Sequence, residues 1–109
     1  MTLSAASLQI LVTLADGDLH GYAIMQDVAE RTDGAVRLGP GTLYGTIKRM
    51  VQDGLIEELD DRPDPHEDDA RRRYYRITPH GRRVAAEEVS RLAKLVRQAR
   101  ATGLAVKTG

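Results

Sequence analysis

The 109-residue chain contains no cysteine, no tryptophan and no phenylalanine. Without cysteine there is no disulfide scaffold, no thiol nucleophile and no thiolate metal site. Aromatic stacking falls to four tyrosines, Tyr22, Tyr44, Tyr74 and Tyr75. Apolar runs last only a few residues, far below the roughly 20 that span a bilayer, so no membrane partner is expected. No basic residue precedes Asp16, so the first residues are not expected to act as a signal peptide, and a cytoplasmic location is the expectation. A nucleophile–base–acid set is also missing. Ser4, Ser7 and Ser90 fall at helix caps or helix surfaces, and Gly39-Pro40-Gly41 lacks the continuation of a phosphate-binding loop. His20, His66 and His80 share no ligand spacing, and His66 among acids reads as a solvated loop histidine. Neither an enzyme, nor a cofactor, nor a metal site is expected.

What is present suits one folded domain, with 41% hydrophobic and 29% charged residues. The net charge is zero but sorted. Residues 1–69 carry 5 Lys/Arg against 14 Asp/Glu, a balance of −9, and residues 70–109 carry 11 against 2, a balance of +9. A neutral total therefore does not exclude a polyanion partner, because the local field decides.

Hydrophobic spacing and punctuation predict the elements. A first helix spans Leu3 to Asp16, capped by Ser4, with one apolar stripe at Leu8, Leu11, Val12 and Ala15 and a second at Ile10 and Leu14. After a turn, a second helix runs from Gly21 to Thr32, with Ile24, Met25 and Val28 inward, and Asp33-Gly34 breaks it. Val36 to Leu38 can add a short strand. A third helix runs from about Pro40 to Asp53, closed by Gly54. Strands at Leu55–Leu59 and Arg72–Ile77 flank a charged loop holding Pro63 and Pro65. Thr78-Pro79 starts a last helix ending near Ala101. The expected fold is mainly α with a small β-hairpin: a winged helix-turn-helix over residues 1–78, a C-terminal dimerisation helix over 79–102 packed on the first helix, and a frayed tail at 103–109.

On a wheel of the third helix, Leu43, Ile47, Met50 and Val51 share an apolar arc. Gly41, Thr42, Gly45, Lys48, Arg49 and Gln52 lie opposite, a face of hydrogen-bonding and cationic groups without an acid. Lys48 and Arg49 suit phosphates or guanine edges. Gly45 weakens a mid-helix position, which points to close approach by a groove wall. Tyr44, at the edge of the apolar arc, is expected half buried with its hydroxyl at the rim. A solvated amphipathic helix would carry much the same pattern, and the winged topology favours DNA.

Here the residues resemble a known family. His20-Gly21-Tyr22-x-Ile24, Gly41-Thr42-Leu43-Tyr44, Arg49-Met50-x-x-x-Gly54-Leu55-Ile56 and Arg73-x-Tyr75-x-Ile77-Thr78-x-x-Gly81 together resemble the PadR family of transcriptional regulators, in its short branch with a single C-terminal helix. The resemblance implies a homodimeric repressor on a near-palindromic double-stranded operator. It also implies a possible small-molecule effector, since family members respond to phenolic acids, drugs or stress compounds, and some to none. The departure is an acidic wing: Asp60, Asp61, Asp64, Glu67, Asp68 and Asp69 outnumber Arg62. Arg71, Arg72 and Arg73 at its return are then the expected backbone contacts, with pairing to the loop's own acids as the competing arrangement.

In the last helix Ala85, Val89, Leu92, Val96 and Ala99 repeat at 4-3-4-3, a heptad seam. The seam is too short to stand alone. Ile10 and Leu14 of the first helix are expected to complete the dimer interface, with any effector pocket between the two copies. The alternative function is a winged-helix protein-interaction module without DNA binding, motivated by the acidic wing.

Overall fold

The computed structural model describes residues 3–59 and 73–104. The acidic loop, Arg71, Arg72, His66 and residues 105–109 lie outside the described residues. The element order is α1 (Ala5–Ala15), β1 (Leu19–His20), α2 (Gly21–Arg31), α3 (Pro40–Gln52), β2 (Ile56–Leu59), β3 (Tyr74–Ile77) and α4 (Pro79–Ala101). This is the expected winged helix-turn-helix with a long C-terminal helix.

The helix ends follow local chemistry. Ser4 caps α1, its hydroxyl accepting the Ser7 N–H at 3.1 Å. Thr78 caps α4 in the same way through the Gly81 N–H at 2.9 Å, with Pro79 at the first helical position. Helices α2, α3 and α4 close by one shared pattern, in which a residue beyond the cap donates back across the last turn. The pairs are Gly34 to Ala29, Leu55 to Met50, and Leu104 to Ala99. Gly103 and Leu104, placed in the tail from sequence, thus form an ordered cap.

The sheet corrects the reading in two places. Among the described residues it has three antiparallel strands in the order β1-β3-β2, not a two-stranded hairpin. Leu19 pairs with Tyr75 and His20 with Tyr74, while Ile56, Glu57, Glu58 and Leu59 face Ile77, Arg76, Tyr75 and Tyr74. A two-residue strand carries no periodicity, which is why β1 reads as a turn from sequence. Val36 to Leu38 forms no strand. Val36 instead donates its N–H to the Thr32 hydroxyl at 3.0 Å, and Leu38 drops into the core from an irregular connection.

The core gathers on α1, which packs against α2, α3, α4 and β3. Ile10 and Leu14 are 0% and 1% exposed and lie in one cluster with Ile24, Val28, Leu43, Ile47, Met50, Ile56 and Ile77. The assignment of Ile10 and Leu14 to a dimer interface is therefore corrected: both are consumed by the chain's own core. The outward face of α1 is Ala5, Val12 and Ala15, with Val12 40% exposed.

Candidate nucleic-acid interface

Helix α3 is held on the core by Leu43, Ile47 and Met50, with Thr46 also buried on that side. Val51, read from sequence as part of the apolar arc, is exposed at its border. The opposite face is open: Gly41, Thr42, Gly45, Lys48, Arg49 and Gln52 are all exposed. Helix geometry leaves the Gly41 and Thr42 N–H groups without an intrahelical acceptor, and Pro40 has none to satisfy. A Cβ added at Gly45 would meet nothing within 4 Å among the described residues. The fold itself does not require glycine there, though glycine costs a helix interior about 1 kcal/mol against alanine. Arg49 leans along the helix, its Nη2 donating to the Thr46 hydroxyl at 3.4 Å. Sequence alone does not single out Thr46, because a hydroxyl on an otherwise apolar arc reads as filler.

The other expected contacts divide. Tyr44 is half buried, and its ring lies against the start of α2. A Cβ on Gly21 would fall 2.9 Å from Tyr44 Cε1 and 3.0 Å from its hydroxyl oxygen. Gly21 is therefore the residue that lets α3 dock on α2, and Tyr44 carries a packing role. Arg73 pairs with Glu58 at 3.3 Å, on the strand beside it. Among the described residues, the acid that competes for this arginine belongs to β2; the loop acids lie outside them. Tyr22, in the first turn of α2, is exposed; its place in the His20-Gly21-Tyr22 motif is the available signal.

Charged and polar contacts fix this unit. The Nδ1 of His20 accepts the Ala23 N–H at 3.1 Å and so caps α2, while its ring meets Tyr74 edge-on at 5.6 Å. Arg76 donates to both Asp18 oxygens, at 2.9 and 3.3 Å. Arg31 bridges Asp16 and Asp27, and the Asp16 hydrogen bond is the main reason its pKa is raised. Burial, reinforced by the Glu58 charge, pushes the Tyr75 phenol above its ordinary value, so it is neutral at physiological pH.

The seam residues of α4 are placed unevenly. Ala85 is buried in the chain's own core, while Leu92, Val96 and Ala99 are half buried and Val89 is 46% exposed. Leu95, 52% exposed, shares their face and falls outside the heptad reading, although its spacing from Leu92 and Ala99 places it there. Glu88 is buried on the same side and accepts the Arg91 Nε–H. The apolar face of α4 thus continues past the point where its own chain covers it.

The model of the transcriptional regulator PadR-like family matches residues 10–87. Transcriptional regulator Rv3488 of Mycobacterium tuberculosis is 36% identical over 95 residues, which cover 87% of this chain and 82% of the relative. An uncharacterized 37.1 kDa protein in transposon TN4556 of Streptomyces fradiae is 38% identical over 95 residues, again 87% of this chain, but the chain spans only 25% of that relative's length. Among solved structures, Bacillus subtilis PadR in complex with operator DNA superposes with a TM-score of 0.69 at 18% identity, over 81% of this chain and 48% of that one. At that identity the likeness is one of fold.

Proposed function

The chain belongs to the PadR-like family of transcriptional regulators, a family of regulators and not of enzymes, and from that membership we propose that it is a homodimeric repressor that reads a near-palindromic DNA operator with α3. The observation that carries this reading is the exposed face of α3. It is free of acids from Gly41 to Gln52, holds Lys48 and Arg49, and has a glycine at its centre that the fold does not need. An operator-bound Bacillus subtilis PadR of the same fold supports it. Lys48 supplies phosphate attraction and Arg49 a fork for a guanine edge or phosphate. Thr42 and the start of α3 suit a phosphate, and Gln52 completes the face. Tyr44, packed with its ring and hydroxyl against Gly21, is a weaker candidate for a backbone contact. Arg73 is a weaker candidate than the sequence suggests, since Glu58 holds it. Such a regulator works in the cytoplasm.

The dimer is proposed through α4, with Val89, Leu92, Leu95, Val96 and Ala99 meeting a second copy and Val12 of α1 extending the surface. A small-molecule effector, if the protein has one, would lie at this joint. An open groove of about 430 Å³ lies between the end of α1, β3 and the start of α4, lined by Leu14, Asp18, Ile77 and Arg82 among others, and none of the proposed dimer residues lines it.

The test is selection of bound sites from random duplex DNA, followed by affinity at increasing salt. Enrichment of a two-fold symmetric site, with log affinity falling linearly against log salt, is expected. Weak binding that ignores both sequence and salt would instead favour a protein-interaction module.

A further inference from the structure

Two of the sequence motifs, Gly54-Leu55 and Thr78-x-x-Gly81, have no part in the reading face, yet they meet in space. At the end of α3, Gly54 adopts a φ of +74°, and its N–H reaches the Val51 carbonyl at 3.1 Å. The next N–H, of Leu55, reaches the Met50 carbonyl at 2.9 Å. That end of Leu55 therefore belongs to α3. Its other end belongs to α4: the Leu55 carbonyl accepts the Thr78 N–H at 3.1 Å and lies 3.1 Å from the Thr78 hydroxyl. The same hydroxyl donates to the Gly54 carbonyl at 2.6 Å while accepting the Gly81 N–H at 2.9 Å. Gly81 sits directly on this peptide, and a Cβ there would come within 2.0 Å of the Leu55 oxygen.

The needs of α4 alone do not explain these residues. An N-cap requires only an acceptor, which serine, aspartate or asparagine supplies equally well, and glycine weakens the first turn of a helix that has every other start signal. Both choices are explained by the contact with Leu55, a buried residue that cannot shift without disturbing the core. Elsewhere α4 packs chiefly on α1, whereas α3 packs on α1, α2 and β2. One residue is thus hydrogen-bonded through both its backbone groups, to the reading helix on one side and to the C-terminal helix on the other.

We propose that Thr78 and Gly81 are positioning residues for DNA reading: they latch the start of α4 to the backbone that ends α3, so that the direction of α4 sets the separation of the two reading helices in the dimer. This rests on the homodimeric DNA-binding reading above. The latch transmits any change in the angle of α4 to α3, because hydrogen bonds and a backbone contact leave no soft side chain between them.

The hydroxyl of Thr78 has two duties, and substitutions separate them. Thr78→Ser keeps both. Thr78→Asp keeps the acceptor that caps α4 but has no proton for the Gly54 carbonyl. The full-length wild type, both Thr78 variants and Gly81→Ala are passed through the same selection from random duplexes, with helicity and mass in solution recorded for each. Wild type and Thr78→Ser are expected to enrich one half-site sequence at one fixed spacing. Thr78→Asp, still helical and dimeric, is expected to enrich the same half-site with relaxed spacing and to bind the wild-type site about five- to tenfold more weakly, the worth of a lost hydrogen bond. Part of that loss should return on duplexes whose half-sites are moved by a base pair. A folded, dimeric Thr78→Asp with unchanged spacing and affinity overturns the proposal, as does one that loses the half-site sequence itself. Gly81→Ala perturbs the same contact from its other side, with the same outcomes deciding, should Thr78→Asp not fold. A wild type that enriches no paired site overturns the dimeric reading, and the latch with it.

Discussion

Two apolar stripes of similar spacing meet opposite fates in this chain. Ile10 and Leu14 of α1 lie at the centre, with helices or strands on every inward side. Leu92, Leu95, Val96 and Ala99 of α4 continue a stripe whose first members, Gly81 and Ala85, are buried, yet they remain half buried or exposed. Burial thus depends on what surrounds a stripe, not on its own composition. Helix α1 is reached by nearly every other element, while α4 touches the body of the domain through its first turns and then runs beyond it. The first half of α4 acts as an anchor and the second half as an arm with an uncovered face. Under the dimeric reading proposed above, a second copy covers this face of the 23-residue helix.

Substitutions on the two stripes should break this contrast in different observables. Leu14→Ala removes a fully enclosed side chain and should cost about 2–5 kcal/mol of stability, read as a lower denaturant midpoint with unchanged slope. A loss under about 1 kcal/mol would mean that α1 is not the core. Leu92→Asp combined with Leu95→Asp should leave the helix-turn-helix folded but convert the protein to a monomer in sedimentation equilibrium, with affinity for a paired site reduced at least about a hundredfold because both half-sites are no longer engaged together. A dimer that survives both changes would place the interface elsewhere.

Gly45 gives the third test, where stability and binding move in opposite directions. Gly45→Ala should raise stability by up to about 1 kcal/mol, since the new methyl meets open space. Gly45→Leu should abolish specific binding by bulk while unfolding at or above the wild-type temperature. Wild-type DNA affinity in Gly45→Leu would remove α3 from the groove. The smallest effect concerns pH. The Tyr75 phenol titrates higher in the folded chain than in the unfolded one, so its contribution is complete below the unfolded tyrosine value of about 10 and is lost as pH rises through the folded value. Tyr75→Phe should therefore flatten the alkaline limb of the stability curve above about pH 10, and an unchanged limb would show that another group controls it.

Much of this is legible in the residues. Ser4, Thr78-Pro79 and Gly54 mark helix ends to within a residue or so, because capping needs only a side-chain oxygen or a positive φ within one turn. The polar face of α3 is equally plain, since 3.6-residue periodicity sorts Gly45, Lys48 and Arg49 from Leu43 and Ile47 without reference to anything distant. The role of His20 at the start of α2 is pointed to by its place in the family motif His20-Gly21-Tyr22. Strand β1 is not, because Leu19 and His20 acquire strand character only by pairing with β3, more than 50 residues away. The pairing of Arg73 with Glu58 likewise exists only because β2 and β3 are neighbours in register.

Local rules within one or two turns of chain thus wrote the element order, the caps and the chemistry of the reading face into the linear sequence. Tertiary structure alone decided which stripe of α1 turned inward, where the cover on α4 stops, and that Leu55 joins Thr78 and Gly81 to the end of α3. The physical reason is that hydrophobic burial has no direction of its own. An apolar stripe states that it will be covered, and only the packing of the remaining elements states by what. Hydrogen bonds across more than 20 residues, such as Thr78 to Gly54, obey the same logic: each partner announces a donor or an acceptor, and the fold chooses the pair.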